Sequence, residues 1–256
     1  MLGGEPDRWT VLTPCAEEAE VDGEPIVGAH VVLDPGHGGS ETGAIGPSGV
    51  SEEDVNLDVA LRVKRLLEKR GAVVVLTRST DVRVTIRTRA ELASALQPLA
   101  FVSVHHNSGA RRKQTTPGSE VYHHLDDPDS RRLAGLIYEE LQAKLSPYGT
   151  DWAVGGDSGA RGRRSSDDGG DFYGVLRGST GVPGVLTESA YLSNSAEERL
   201  LDTAVFRESE ATAIASAIIR FVTSDDPGTG FIPALETDAD PGGGGGTAGC
   251  DDPPLG

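Results

Sequence analysis

Apolar and polar positions fall along this chain in short blocks whose period switches between that of a strand and that of a helix. Val31-Val32-Leu33 is a β-branched run closed by Pro35-Gly36, which predicts a buried strand. Ser51 then reads as the N-cap of a helix with acids in its first turn, and Val55, Val59, Val63, Leu66 and Leu67 recur at helical spacing as far as Arg70-Gly71. The same reading predicts strands over 72–77, 100–104, 119–123, 172–176 and 182–187, and helices over 85–96, 129–145 and 203–222. Ser146 to Asp171 is rich in Gly, Asp, Ser and Arg and reads as a long surface loop, a feature that inside a compact domain usually serves function.

Strands alternating with helices predict an α/β fold: a single domain with a mostly parallel, twisted sheet and helices on both faces. That domain spans 29–223. Residues 1–28 are polar and acidic apart from Trp9-Thr10-Val11-Leu12-Thr13 and predict an N-terminal arm or hairpin. Residues 224–256 are rich in Gly, Pro and Asp and predict a flexible tail.

Composition narrows the functional classes. Forty acidic residues against 23 basic ones give a formal net charge of −17, which argues against nucleic acid as a partner because phosphate neutralisation needs a basic face. No apolar stretch approaches the roughly 20 residues that span a bilayer. The first ten residues have no apolar core of a secretory signal. The two cysteines, Cys15 and Cys250, have no metal-site spacing; they form either one disulfide tying the tail to the arm or two free thiols.

In parallel sheets the ligand site lies beyond the carboxyl ends of the strands. His37, His105 and Glu188 each fall at or just past the end of a predicted strand, and Glu52 opens the first helix on the same rim. Two imidazoles and a carboxylate form the ligand set of a catalytic zinc with one position left for water, and Glu188 is placed to shuttle protons. Singly, each has a plainer role: a turn histidine, a first-turn acid complementing the helix dipole, a buried acid with a partner. Glu53 and Asp54 compete with Glu52, and His106 competes with His105, since adjacent strand residues face opposite ways. The glycine-rich 34–39 turn lacks the spacing and the Lys-Ser/Thr of a phosphate loop, and no G-x-S-x-G follows a strand.

Taken in order, these segments resemble the zinc-dependent N-acetylmuramoyl-L-alanine amidases of the type-3 amidase family. The matching pieces are Leu33-Asp34-Pro35-Gly36-His37-Gly38-Gly39, Gly49-Val50-Ser51-Glu52 through Asn56-Leu57, Leu76-Thr77-Arg78 with Asp81, Arg89-Ala90, Val102-Ser103-Val104-His105-His106-Asn107, and Val182-Pro183-Gly184-Val185-Leu186-Thr187-Glu188 through Leu192-Ser193-Asn194. The resemblance runs from about His30 to Val222.

It implies a peptidoglycan hydrolase that cuts between the muramic acid lactyl group and the L-Ala of the stem peptide, with one zinc held by His37, Glu52 and His105 and with Glu188 as the catalytic glutamate. Glu52 is favoured because the family's glutamate lies five residues before the helix leucine, here Leu57, and His105 because the family's ligand lies two residues before Asn107. It further implies a secreted or wall-associated monomer acting on peptidoglycan or muropeptides. Ser108 to Gly118 is too short and too rich in Gly and Pro for the inhibitory helix of some relatives, which predicts an open groove. The 146–171 loop is expected to line that groove, with Asn107 and one of Arg161, Arg163 or Arg164 meeting the substrate and the arginine pairing with stem-peptide carboxylates. Two rivals remain: an amidase-like scaffold that binds wall fragments without cutting, which would be expected to lack a ligand or the glutamate, and a zinc peptidase with a different groove.

Overall fold

Every residue of Val31–Pro35 is buried, as a strand covered on both faces must be. In the computed structural model, which describes residues 3–5, 8–23, 28–108, 118–149, 158–237 and 246–254, this segment is one of the inner strands of a six-stranded sheet. In chain order the elements are β1 (Gly3–Glu5), β2 (Arg8–Leu12), β3 (Glu18–Asp22), β4 (Val31–Pro35), α1 (Glu52–Glu68), β5 (Val74–Leu76), α2 (Ile86–Leu96), β6 (Ala100–Asn107), β7 (Glu120–His123) and α3 (Pro128–Leu145). A 3-10 turn at Ser146–Tyr148 follows, then β8 (Gly159–Arg161), β9 (Arg163–Ser165), α4 (Gly174–Gly178), β10 (Gly184–Tyr191), α5 (Ser195–Leu201), α6 (Ala204–Thr223) and β11 (Leu235–Thr237).

The central sheet has the order β5-β4-β6-β10-β7-β8, and every neighbouring pair is parallel except β10–β7. Successive strand residues face opposite sides. Leu33, Val102, Val104, Val121 and Val185 therefore enter one core under α1, α3 and α6, while Val32, Phe101, Tyr122 and Leu186 enter a second under α2 and α4. The sequence-based expectation of a mostly parallel α/β sheet with helices on both faces agrees with this architecture. No helix among the described residues is long and apolar enough to cross a membrane.

Four details differ from the sequence reading. Phe172–Leu176, expected as a strand, is a turn followed by the short helix α4, with Val175 and Leu176 both buried against the α2 side. A brief apolar run has no periodicity that separates a strand from a buried helical turn. The 146–171 segment is not one loop, since the 3-10 turn, β8 and β9 interrupt it. The last central strand runs to Tyr191, so Glu188 sits inside it. Helix α5 was not expected; its start is fixed by Asn194, whose side chain accepts from the amides of Ala196 and Glu197.

The segment expected as a flexible tail departs furthest. After α6 the chain turns back along the sheet edge, with Ala160 N–H donating to Gly230 and Ile232 N–H to Ala160. Strand β11 then pairs in parallel with β9. Phe231 fills the space beside Gly135 under the Arg131 guanidinium, 3.7 Å from its ring centroid. Further on, Cys250 is bonded to Cys15, and Ser40 Oγ donates to Gly249. The N-terminal strands form a small antiparallel sheet, β1-β2-β3, whose β2–β3 turn meets the start of α2 through Thr85 N–H to Pro14 and Thr88 Oγ1 to Thr13.

Candidate metal centre

The site is built where β4 and β6 end and α1 begins. Past Pro35 the chain reverses through Gly36 and His37, the latter at a φ of 61°, a left-handed conformation rare outside glycine. A Cβ on Gly36 would lie 2.1 Å from His105 Cε1, and one on Gly43 would lie 2.6 Å from both Glu52 Oε2 and His37 Cδ2. These two glycines let the three functional side chains close on one another.

Glu52 is the hub. Its Oε1 lies 3.2 Å from His37 Nε2 and 3.1 Å from His105 Nδ1, and its Oε2 accepts from Ala44 N–H at 2.9 Å. His37, Glu52 and His105 form the one group of His, Cys, Asp or Glu side chains among the described residues whose potential ligand atoms all lie within 4.8 Å of one another. Two imidazole nitrogens and a carboxylate oxygen are the donor types that a catalytic divalent ion takes from protein.

The competing residues are turned elsewhere. His106 points to the other face of β6, where Nδ1 lies 2.8 Å from Asn56 Oδ1 and Nε2 lies 3.1 Å from Glu210 Oε2, both side chains fully buried. Glu53 meets Ser51 Oγ. A wider frame holds the His37 turn. Arg89 pairs with Asp34 at 2.5 Å and donates to the carbonyls of Pro35 and His37, while Arg78 donates to those of Pro35 and Gly36. Asp34 also accepts from Ser103 and Thr77. Burial would raise the Asp34 carboxyl, but Arg89 and the two hydroxyls hold it below the usual range. The sequence reading left these frame residues without roles, because a buried Arg–Asp pair has no spacing signature.

Glu188 stands beside His105 in register on adjacent parallel strands, with Glu120 in register on its other side. Residues paired in this way share a sheet face. Its Oε2 is buried and has no hydrogen-bond partner among the described residues. Burial pushes its carboxyl well above the ordinary range, and the Glu52 and Glu120 carboxylates push it further. Burial lowers the His37 imidazole, yet hydrogen bonds and charge from Glu41 and Glu52 outweigh that and raise it to about 10 in the metal-free arrangement. The buried His105 is lowered, which favours the neutral ring a metal needs.

A cavity of about 590 Å³ opens over these groups, lined among others by Asn107, Arg163, Phe172, Tyr173 and Arg177. A larger hollow of about 810 Å³ between α1 and α6 lies apart from them, and its Asp58 and Glu208 are already paired with Arg62 and Arg65. Of the residues expected to meet substrate, Asn107 and Arg163 line the smaller cavity, and Asn107 donates to Glu120 at 2.5 Å. Arg161 and Arg164 do not. Arg161 is buried under the returning tail, donating to the Pro233 carbonyl, and Arg164 is exposed and donates to the Gly169 carbonyl. The returning tail takes Arg161 away from the cavity, whereas Arg164 lies on the solvent side of β9. Most of the segment expected to leave the groove open, 108–118, lies outside the described residues.

A family model described as N-acetylmuramoyl-L-alanine amidase matches residues 31–220. The uncharacterized protein YqiI of Bacillus subtilis is 35% identical over 81% of this chain and 89% of its own length. The N-acetylmuramoyl-L-alanine amidase LytC of the same organism is 34% identical over 77% of this chain; the match spans 36% of LytC. Among solved structures, the amidase AmiC2 of Nostoc punctiforme superposes with a TM-score of 0.64 at 32% identity, covering 75% of this chain and 96% of that one.

Proposed function

The chain belongs to the N-acetylmuramoyl-L-alanine amidase family, and from that premise we propose that it hydrolyses the amide joining the muramic acid lactyl group to L-Ala of the peptidoglycan stem. In this reading His37, Glu52 and His105 hold one zinc ion and Glu188 moves the proton. The observation that carries the reading is the meeting of two imidazole nitrogens on Glu52 Oε1, with a carboxyl one strand away whose Oε2 has no hydrogen-bond partner among the described residues.

The donor set fits the ion. Three protein ligands leave a position open, as catalytic zinc requires. When bound, zinc acidifies water toward a pKa of about 7 and offsets negative charge on the reacting oxygen. The rest falls to the chain. Glu52 keeps its carboxylate charged because both imidazoles and the Ala44 amide point at it. His37 is fixed in its turn by Arg89 on its carbonyl. Glu188, a strand away from the ligands, takes a proton from water and delivers it to the leaving nitrogen. Burial raises its pKa, the direction that favours its giving the proton to the leaving nitrogen.

Peptidoglycan lies outside the cytoplasmic membrane, so the reading places the protein at or beyond the cell surface. The Cys15–Cys250 bond suits such an oxidising compartment. The test is digestion of purified peptidoglycan with and without a chelator. Release of L-Ala amino termini with muramic acid left intact, abolished by chelation and restored by zinc, is the expected result. Cleavage inside the stem peptide, or no cleavage at all, overturns it.

A further inference from the structure

Arg163 opens β9 and reaches into the cavity that holds His37, Glu52, His105 and Glu188. Three contacts fix its guanidinium. Nε donates to Thr237 Oγ1 at 3.0 Å, Nη1 donates to Tyr173 Oη at 2.8 Å, and the plane lies over Phe172 with its carbon 4.0 Å from the ring centroid. All three partners are neutral. No carboxylate comes within ion-pair distance of Arg163 among the described residues, in a chain with 40 acids to 23 bases. The other arginine of the cavity, Arg177, is paired with Asp168.

The Glu120 and Glu188 carboxylates act on this half-buried cation without forming an ion pair with it, so its guanidinium keeps N–H donors for an incoming anion. The guanidinium is also held in one orientation before any ligand arrives, which lowers the ordering cost of binding. A planar guanidinium fork matches a carboxylate in two parallel hydrogen bonds.

We propose that Arg163 is the carboxylate-binding group of this groove and that the chain selects stem peptides whose carboxylate near the scissile amide is free rather than amidated. The proposal rests on the muramoyl-amide reading above. The returning tail takes part in it, because β11 supplies Thr237 and so sets the guanidinium from behind.

The experiment compares two muropeptides that differ only in amidation of the stem carboxyl next to L-Ala, with the full zinc-loaded chain and its R163Q and R163K variants. The wild-type protein is expected to show a KM about tenfold lower for the free acid, the worth of one charged hydrogen-bonded pair. R163Q is expected to lose that ratio, and R163K to keep part of it, since lysine retains the charge without the fork. Dissociation constants of the two muropeptides for Glu188→Gln protein should show the same preference, and thermal unfolding of each variant checks its fold. Equal KM values in the wild type overturn the proposal. So does an R163Q defect that is equal on both substrates and accompanied by a shifted kcat pH profile, which would make Arg163 a counter-charge to Glu188 alone. Failure of the wild type to cleave either muropeptide overturns the amidase reading instead.

Discussion

Glu188 and His105 face each other in register across β10 and β6, on the sheet face that carries the smaller of the two cores. The pairing places an acid beside a candidate ligand histidine without joining that acid to the candidate metal group, which among the described residues is His37, Glu52 and His105. Position in the sheet thus separates two jobs that carboxylates could both do. Glu52, bonded to two imidazoles and an amide, has its carboxyl held well below the ordinary range, whereas burial and the Glu52 and Glu120 carboxylates push that of Glu188 well above it.

Glu188→Gln keeps the shape and removes the proton carrier. Turnover on muropeptide is expected to fall about 10²–10⁴-fold, the usual worth of a general acid–base, while zinc affinity measured by chelator competition stays within a few-fold of wild type. Glu52→Ala is the contrasting case and should lose the metal itself. Retained turnover in Glu188→Gln would remove Glu188 from the chemistry.

Asp34 and Arg89 form a buried pair at 2.5 Å whose arginine also holds the Pro35 and His37 carbonyls. Arg89→Met strands the Asp34 carboxylate and should cost about 3–5 kcal/mol of stability. Zinc affinity should fall about 10- to 100-fold through the loosened His37 turn. Denaturant unfolding and metal competition read the two effects separately. An unchanged affinity would show that Gly36 and Arg78 suffice to set the turn.

Much of this was legible in the sequence, and the particular exceptions have physical causes. His37 follows the end of β4, Glu52 opens α1, and His105 and Glu188 lie in the second halves of β6 and β10, close to the carboxyl ends that hydrophobic periodicity locates. Strand alternation puts His105 and His106 on opposite faces without saying which faces the site; the resemblance favoured His105, and the structure turns His106 toward Glu210 on α6, 104 residues away. Arg161, Arg163 and Arg164 looked alike as a basic cluster. Their fates diverge because β11, from a segment whose composition read as linker, lies along β9 and puts one arginine in the groove while the returning chain buries another. Edge pairing of a three-residue strand leaves no periodic trace.

The Cys15–Cys250 bond closes a span of 235 residues and brings the tail to the loop that follows His37, where Arg83 donates to the carbonyls of Gly246 and Ala248 and Ser40 to that of Gly249. Cross-links over long spans are worth about 2–4 kcal/mol. Cys15→Ser, Cys250→Ser and reduction of the wild type should therefore each lower the thermal midpoint, by roughly 5–10 °C for a chain of this size. The three should agree with one another. A reductant with no effect on melting would mean that the tail contacts hold without the bond.

Glu197, in the first turn of α5, makes stability depend on pH away from the candidate metal site. Its side chain is fully buried, with Oε2 accepting from Tyr191 N–H at 2.7 Å. Burial raises its pKa to about 8, against the smaller opposing pull of the backbone amides of Tyr191 and Gly118. The folded state therefore keeps a proton that the unfolded chain releases near the ordinary glutamate value of 4.5. Between those two pKa values folding takes up a proton, so this group's contribution to stability is full at low pH and is lost as pH rises toward about 8, with a slope of at most ~1.4 kcal/mol per pH unit. Above that pH both states are charged and the slope vanishes. Glu197→Gln keeps an acceptor for Tyr191 and removes the titration, so the variant should gain on the wild type steadily from pH 5 to 8. Urea unfolding at half-unit pH steps measures the difference. A wild-type-minus-variant curve that is flat across that window would show that Glu197 is ionised in the fold and solvated by contacts beyond those two amides.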